Sequence, residues 1–119
     1  EFLAHVNLMA RRFSDGIEYL RARHKKFLVG LNQLGLTMGL RLKDNLCGPL
    51  LTKTAYDNDL LLIYANNDLS VCQLLPPLVM EEKEIDWVLA QLDDALLAGR
   101  RLKPILKIKR FFDKWRRKK

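Results

Sequence analysis

Two apolar rhythms follow one another along this chain, and together they restrict it to helices laid on a sheet. Phe2, Val6, Met9, Phe13, Ile17 and Leu20 recur at steps of three and four, which predicts a helix over residues 2–23. Gly16 inside it weakens that helix by about 1 kcal/mol relative to alanine, so packing must hold it there. After the apolar run 27–31, Leu36, Met38, Leu40 and Leu42 alternate with Gly35, Thr37, Gly39 and Arg41. That is the period of a strand, read over 34–42. Gly35 and Gly39 then share one strand face, which fits a helix crossing closely better than a phosphate cradle.

Asp44 is a candidate N-cap for a short helix over 46–56, whose start Gly48 and Pro49 delay. Segments 60–65 and 71–75 flank the turn Asn66-Asn67-Asp68 and read as an antiparallel hairpin, closed by Pro76 and Pro77. A second strong helix starts near Glu81, with Glu81, Glu82 and Glu84 at the positive end of its dipole. Its stripe is Ile85, Val88, Leu89, Leu92 and Leu96, and Gly99 is a natural stop. The fold class is α+β, a small α/β sandwich. A three- to four-stranded, mainly antiparallel sheet carries helices on one face, and a basic C-terminal helix or tail follows.

Local chemistry is sparse. Cys47 and Cys72 make neither a disulfide framework nor a metal motif, and they read as reduced, partly buried thiols. His5 and His24 stand in no ligand or triad spacing and read as surface or helix-end residues. The acids from Glu81 to Asp86 are explained by the helix start, and Asp93-Asp94 reads as a solvated pair. No nucleophile elbow, zinc-protease helix, phosphate loop or dinucleotide fingerprint occurs. Neither a catalytic residue nor a metal ligand is therefore assigned.

The net charge of +7 is unevenly placed. From Arg100 onward there are eleven Lys and Arg against the single acid Asp113, while the preceding residues carry ten bases and thirteen acids. A whole-domain nucleic-acid surface is not supported. Residues 1–102 read as one domain and 103–119 as a basic amphipathic tail. Ile105, Ile108, Phe112 and Trp115 share one helical face, with Lys107, Lys109, Arg110, Lys114 and Arg117 around the others. Such a tail suits an anionic membrane surface or an acidic partner. Docking on the body or disorder is the plainer reading of the same pattern, and nucleic-acid contact ranks behind all of these. Apolar runs fall short of a membrane span and no signal peptide is present, so the expected location is cytoplasmic.

Two stretches in order resemble the C-terminal small domain of class III, fold-type I pyridoxal-phosphate aminotransferases. The first is Asn32 to Leu42, where Gly35, Leu36, Met38 and Gly39 carry the likeness and Asn32-Gln33 replaces the usual Arg-Gly. The second is Val71 to Leu96, where Pro76, Pro77, Leu78, Glu82 and Ile85 fall in the family's places. With the opening helix, the likeness spans residues 5–98, about four-fifths of the chain. The resemblance implies that the glycine-bearing strand and the strand entering the double proline are sheet neighbours.

It also implies a parent enzyme that transfers an amino group from an amine or amino acid to a keto acid, works as a homodimer and uses pyridoxal phosphate. The family's cofactor aldehyde bonds a lysine of a large domain that this chain lacks, so the chain alone is expected to bind no cofactor and to be inactive. Gln73 stands where family members acting on amino acids or 2-oxoglutarate carry a carboxylate-binding arginine. Either the substrate lacks that carboxylate, or the acid is bound elsewhere, or Gln73 is a spectator. The alternative to an enzyme domain is a stand-alone binding or adaptor module using its basic tail.

Overall fold

The computed structural model describes residues 2–35, 37–65, 67–76 and 80–117. The expectations placed on Leu36, Asn66, Pro77 and Leu78 lie outside the described residues. Helix α1 spans Phe2–Arg23, and its stripe Met9, Phe13, Ile17 and Leu20 is buried as the spacing predicts. Gly16 lets this helix approach its neighbour closely, since a Cβ built there would stand 2.9 Å from Leu89 Cδ2. The carbonyl of His24 accepts from the amides of Phe27 and Leu28 at 2.8 and 2.9 Å, turning the chain into the sheet.

The region read as one strand is a hairpin. Strand β1, Leu28–Leu34, pairs antiparallel with β2, Thr37–Leu42. Gly35 sits in the connection with φ +60, the left-handed region that glycine enters without strain, and nothing crowds it. Two glycines on one strand face was therefore the wrong geometry: of Gly35 and Gly39, only Gly39 is in a strand, and the period-two pattern did not reveal the reversal. No helix crosses the sheet at Gly39, whose added Cβ would meet only Val71 Cγ1 at 3.6 Å and Asn32 at 3.8 Å.

Helix α2 covers Cys47–Asp57 and takes Gly48 and Pro49 into its first turn, where a missing amide proton costs nothing. Asp44 is not its N-cap: Leu46 holds that position without a side-chain cap, because the helix starts later than read, and Asp44 instead accepts the Leu46 amide at 3.0 Å in the turn before it. Strands β3, Ile63–Ala65, and β4, Asp68–Leu74, form the second hairpin, and the sheet order is β1-β2-β4-β3. The glycine-bearing strand and the strand leading to the prolines are antiparallel neighbours, with Gly39 opposite Gln73 and Leu40 opposite Cys72.

Helix α3 runs without a break from Glu82 to Arg117, 36 residues. Gly99 does not stop it. It is buried instead, because its bare Cα admits the Phe27 ring, whose Cζ lies 3.0 Å from where a Cβ would stand. Pro104 falls inside the helix and removes the bond to the Arg100 carbonyl without ending it. The helix therefore crosses position 103 with no change of structure. Helices α1 and α2 lie on the sheet and α3 lies on both, burying Met38, Leu40, Leu42, Cys72 and Leu74 from one sheet face. That face is closed, and the other is open.

Candidate functional site on the open sheet face

Alternation along β4 decides what the open face presents. Cys72 and Leu74 point into the core, so Val71, Gln73 and Leu75 face outward. On β2 the same logic buries Met38 and Leu40 and turns Thr37, Gly39 and Arg41 outward. Gln73 stands across from Gly39, which has no side chain, so its amide borders a dip in the sheet. Asn32, Thr37, Gly39, Val71, Gln73 and Leu75 line a shallow groove there of about 620 Å³. Among the described residues, nothing bonds the Gln73 amide group.

Arg41 shares this face but does not substitute for a missing cation beside Gln73. Its guanidinium covers Gly30 on β1, where Arg41 Cζ stands 2.7 Å from an added Cβ, on the far side of β2 from β4. The groove thus offers amide donors and acceptors, a threonine hydroxyl and apolar surface, and no fixed positive charge at position 73. Such a surface orients a polar or uncharged group by single hydrogen bonds and cannot neutralise a carboxylate.

A lysine that captures a carbonyl must give up its charge readily. Among the described residues, Lys103 alone is half-buried, and the others are exposed. Burial works against the charge on Lys103. The 2.8 Å bridge to Asp44 and the nearby Cys47 together outweigh that and raise its pKa, the opposite of what carbonyl capture needs. Burial likewise opposes the charge of Asp44, yet bonds from Lys103, the Leu46 amide and Cys47 hold its carboxyl below the usual range.

Several polar residues sit elsewhere than their spacing implied. His24 stands at the end of α1, one of the two places read for it, but it is buried there and not at the surface, with Nε2 2.5 Å from Asp93 Oδ1 and Nδ1 2.9 Å from Arg100 Nη1. Arg100 can only donate, so Nδ1 accepts and Nε2 carries the proton toward Asp93. Asp93 is accordingly no solvated partner of Asp94, and it also faces Arg23 at 3.3 Å. The signal was available, because position 24 continues the stripe at Leu20 plus four. His5 is half-buried and bonds the Met80 carbonyl at 3.0 Å. Asp86 and Glu82, read as helix-start acids, face Arg12, and its two hydrogen bonds to Asp86 hold that carboxyl low.

Both cysteines are buried free thiols. Burial pushes Cys72 up to about 11 and raises Cys47 as well, so neither is a poised nucleophile. Among the described residues no cluster of His, Cys, Asp and Glu could hold a metal. The tail bases Lys107, Arg110, Lys114 and Arg117 are all exposed on α3. No helix among the described residues is long and apolar enough to cross a membrane.

No protein-family model matches the chain. It is 36% identical over 95 residues to an uncharacterized aminotransferase of Archaeoglobus fulgidus, covering 80% of this chain and 22% of that protein. It is 35% identical over 97 residues to the acetylornithine aminotransferase of Parasynechococcus marenigrum, covering 79% of this chain. The chain therefore spans 22% of the length of both curated relatives. Among solved structures, the N-acetylornithine aminotransferase of Stenotrophomonas maltophilia superposes with TM-score 0.71 at 24% identity, over 82% of this chain and 27% of that one. The lysine aminotransferase of M. tuberculosis gives TM-score 0.75 at 16% identity, over 82% of this chain and 22% of that one. These two likenesses establish a shared fold.

Proposed function

We propose that this chain, which matches the C-terminal small domain of class III aminotransferases in sequence and fold, serves as that domain in a pyridoxal-phosphate enzyme. The observation that carries the reading is the pairing of β2 with β4, which sets Gly39 and Gln73 side by side on the uncovered face. In this reading the uncovered face forms one wall of a site completed by a large domain. That domain supplies the cofactor's lysine, and the chain by itself does not transaminate. The bound cofactor supplies the electron sink for moving an amino group between an amine or amino acid and a keto acid. The parent is read as a homodimer on the resemblance alone, and as cytoplasmic on the short apolar runs of this sequence.

Gln73 is assigned to substrate selection. An arginine at this point would grip a carboxylate through two parallel, charge-assisted bonds, whereas glutamine offers one donor group and one acceptor. The reading therefore favours an amine, or another substrate without a carboxylate at this wall. It is tested in a hybrid in which this chain replaces the matching residues of the Parasynechococcus acetylornithine aminotransferase. Gln73→Arg should lower KM for carboxylate-bearing substrates roughly tenfold or more and leave simple amines unaffected. Equal KM values in the two hybrids would show that Gln73 is a spectator.

A further inference from the structure

The transaminase reading leaves the last third of α3 unused, and the phase of that helix is informative. At about 100° per residue, the body-facing residues Ile85, Val88, Leu92, Ala95, Leu96 and Gly99 centre on one side. Ile105, Ile108, Phe111 and Phe112 centre on nearly the opposite side, and they are 55–66% exposed. Leu106, which keeps the body-facing phase, is half-buried. The helix therefore cannot cover this second stripe by lying further along its own body, which removes docking of that kind.

The charge on the same side is equally one-sided. Lys25, Lys26 and Lys43 from the body meet Arg101, Pro104 and Lys107 of α3 around an open groove of about 850 Å³. Its lone acid, Asp44, is already paired with Lys103. Among the described residues none of Lys25, Lys26, Lys43, Arg101 or Lys107 has a carboxylate partner. Farther out, Lys109 and Arg116 border the apolar stripe on one rim, and Lys107 and Lys114 border it on the other.

We propose that this side of the molecule is a docking surface for an anionic phospholipid bilayer. The apolar stripe lies at the headgroup–acyl boundary, the bordering lysines and arginines reach back to lipid phosphates, and the basic groove receives headgroups beside the body. A second copy is disfavoured because pairing the stripes would bring two strongly positive helices together. An acidic protein clasping the helix would engage the stripe and its rims, but it would give no role to the three lysines contributed by the body. The proposal is independent of the aminotransferase reading.

The test is co-sedimentation of the 119-residue chain with vesicles of phosphatidylcholine alone or mixed with phosphatidylglycerol. Binding is expected to the mixed vesicles only, and to weaken with salt. Paired changes Ile108→Ser and Phe112→Ser should reduce it roughly tenfold or more, and so should Lys25→Glu with Lys26→Glu. Circular dichroism and melting should match the parent chain, because all four positions are exposed. Failure of the intact chain to sediment with mixed vesicles overturns the proposal. So does sedimentation indifferent to the serine pair, which is the behaviour of a general polyanion binder. A dimer in solution that the serine pair dissolves would assign the stripe to a second copy instead.

Discussion

Replacing Gly48 with alanine should damage this fold far more than the same change at Gly39. A Cβ on Gly48 would overlap the Leu69 carbonyl, with its carbon 2.8 Å away and Tyr64 Cβ at 3.2 Å. Ordinary carbon contacts begin near 3.5 Å, so α2 must lift from β4 by a sizeable fraction of an ångström or more. The obstacle is main chain of β4, not the end of a side chain that could rotate aside. Overpacking of this kind costs about 3 kcal/mol or more, against a helix-propensity gain for alanine of about 1 kcal/mol. The lift also loosens the bonds that the Gly48 carbonyl accepts from Thr52 Oγ1 and Cys72 Sγ. The net loss is roughly 2–3 kcal/mol, which for a chain of this size lowers Tm by roughly 8–12 °C. At Gly39 the nearest atom to an added Cβ is 3.6 Å away, an ordinary contact. Alanine there should leave Tm within a few degrees, tending upward because alanine lowers the entropy of the unfolded chain. Thermal melts followed by circular dichroism decide it. Equal shifts, or an unchanged Gly48→Ala, would refute the placement of α2 on β4.

His24→Ala opens a hole and strands Asp93 and Arg100, so it should destabilise by about 3 kcal/mol in urea titration. A loss under about 1 kcal/mol would show that the buried imidazole is not held as described. Cys72, with its folded pKa raised to about 11 from 9.0, adds a pH dependence. The folded state favours the neutral thiol, so its contribution is full below pH 9, the unfolded value, and is lost as pH rises toward about 11. Cys72→Ala should remove that part of the alkaline loss in Tm, and superimposable profiles for the two chains would contradict it.

The helices were legible because their stripes are long: α1 is bounded as its spacing predicts, and Ile85, Val88, Leu92 and Leu96 are core residues. The pairing of β2 with β4 was legible only through family resemblance, because strand order depends on contacts distant in sequence. Gly35 misled because apolar alternation continues through a reversal, and only the backbone angle separates a strand glycine from a turn glycine. Gly99 misled for a related reason: glycine serves both to stop a helix and to admit a ring, and Phe27 is 72 positions away. The outward position of Gln73 followed from alternation about Cys72 and Leu74, whereas the basic groove joins segments near residues 25, 43 and 101 that no local pattern connects.

Amino-group transfer by the hybrid of this chain with the Parasynechococcus large domain tests the central claim most directly. The hybrid should transaminate above a truncated enzyme that lacks its matching 97 residues. A folded, cofactor-loaded hybrid no more active than the truncated enzyme would contradict the account.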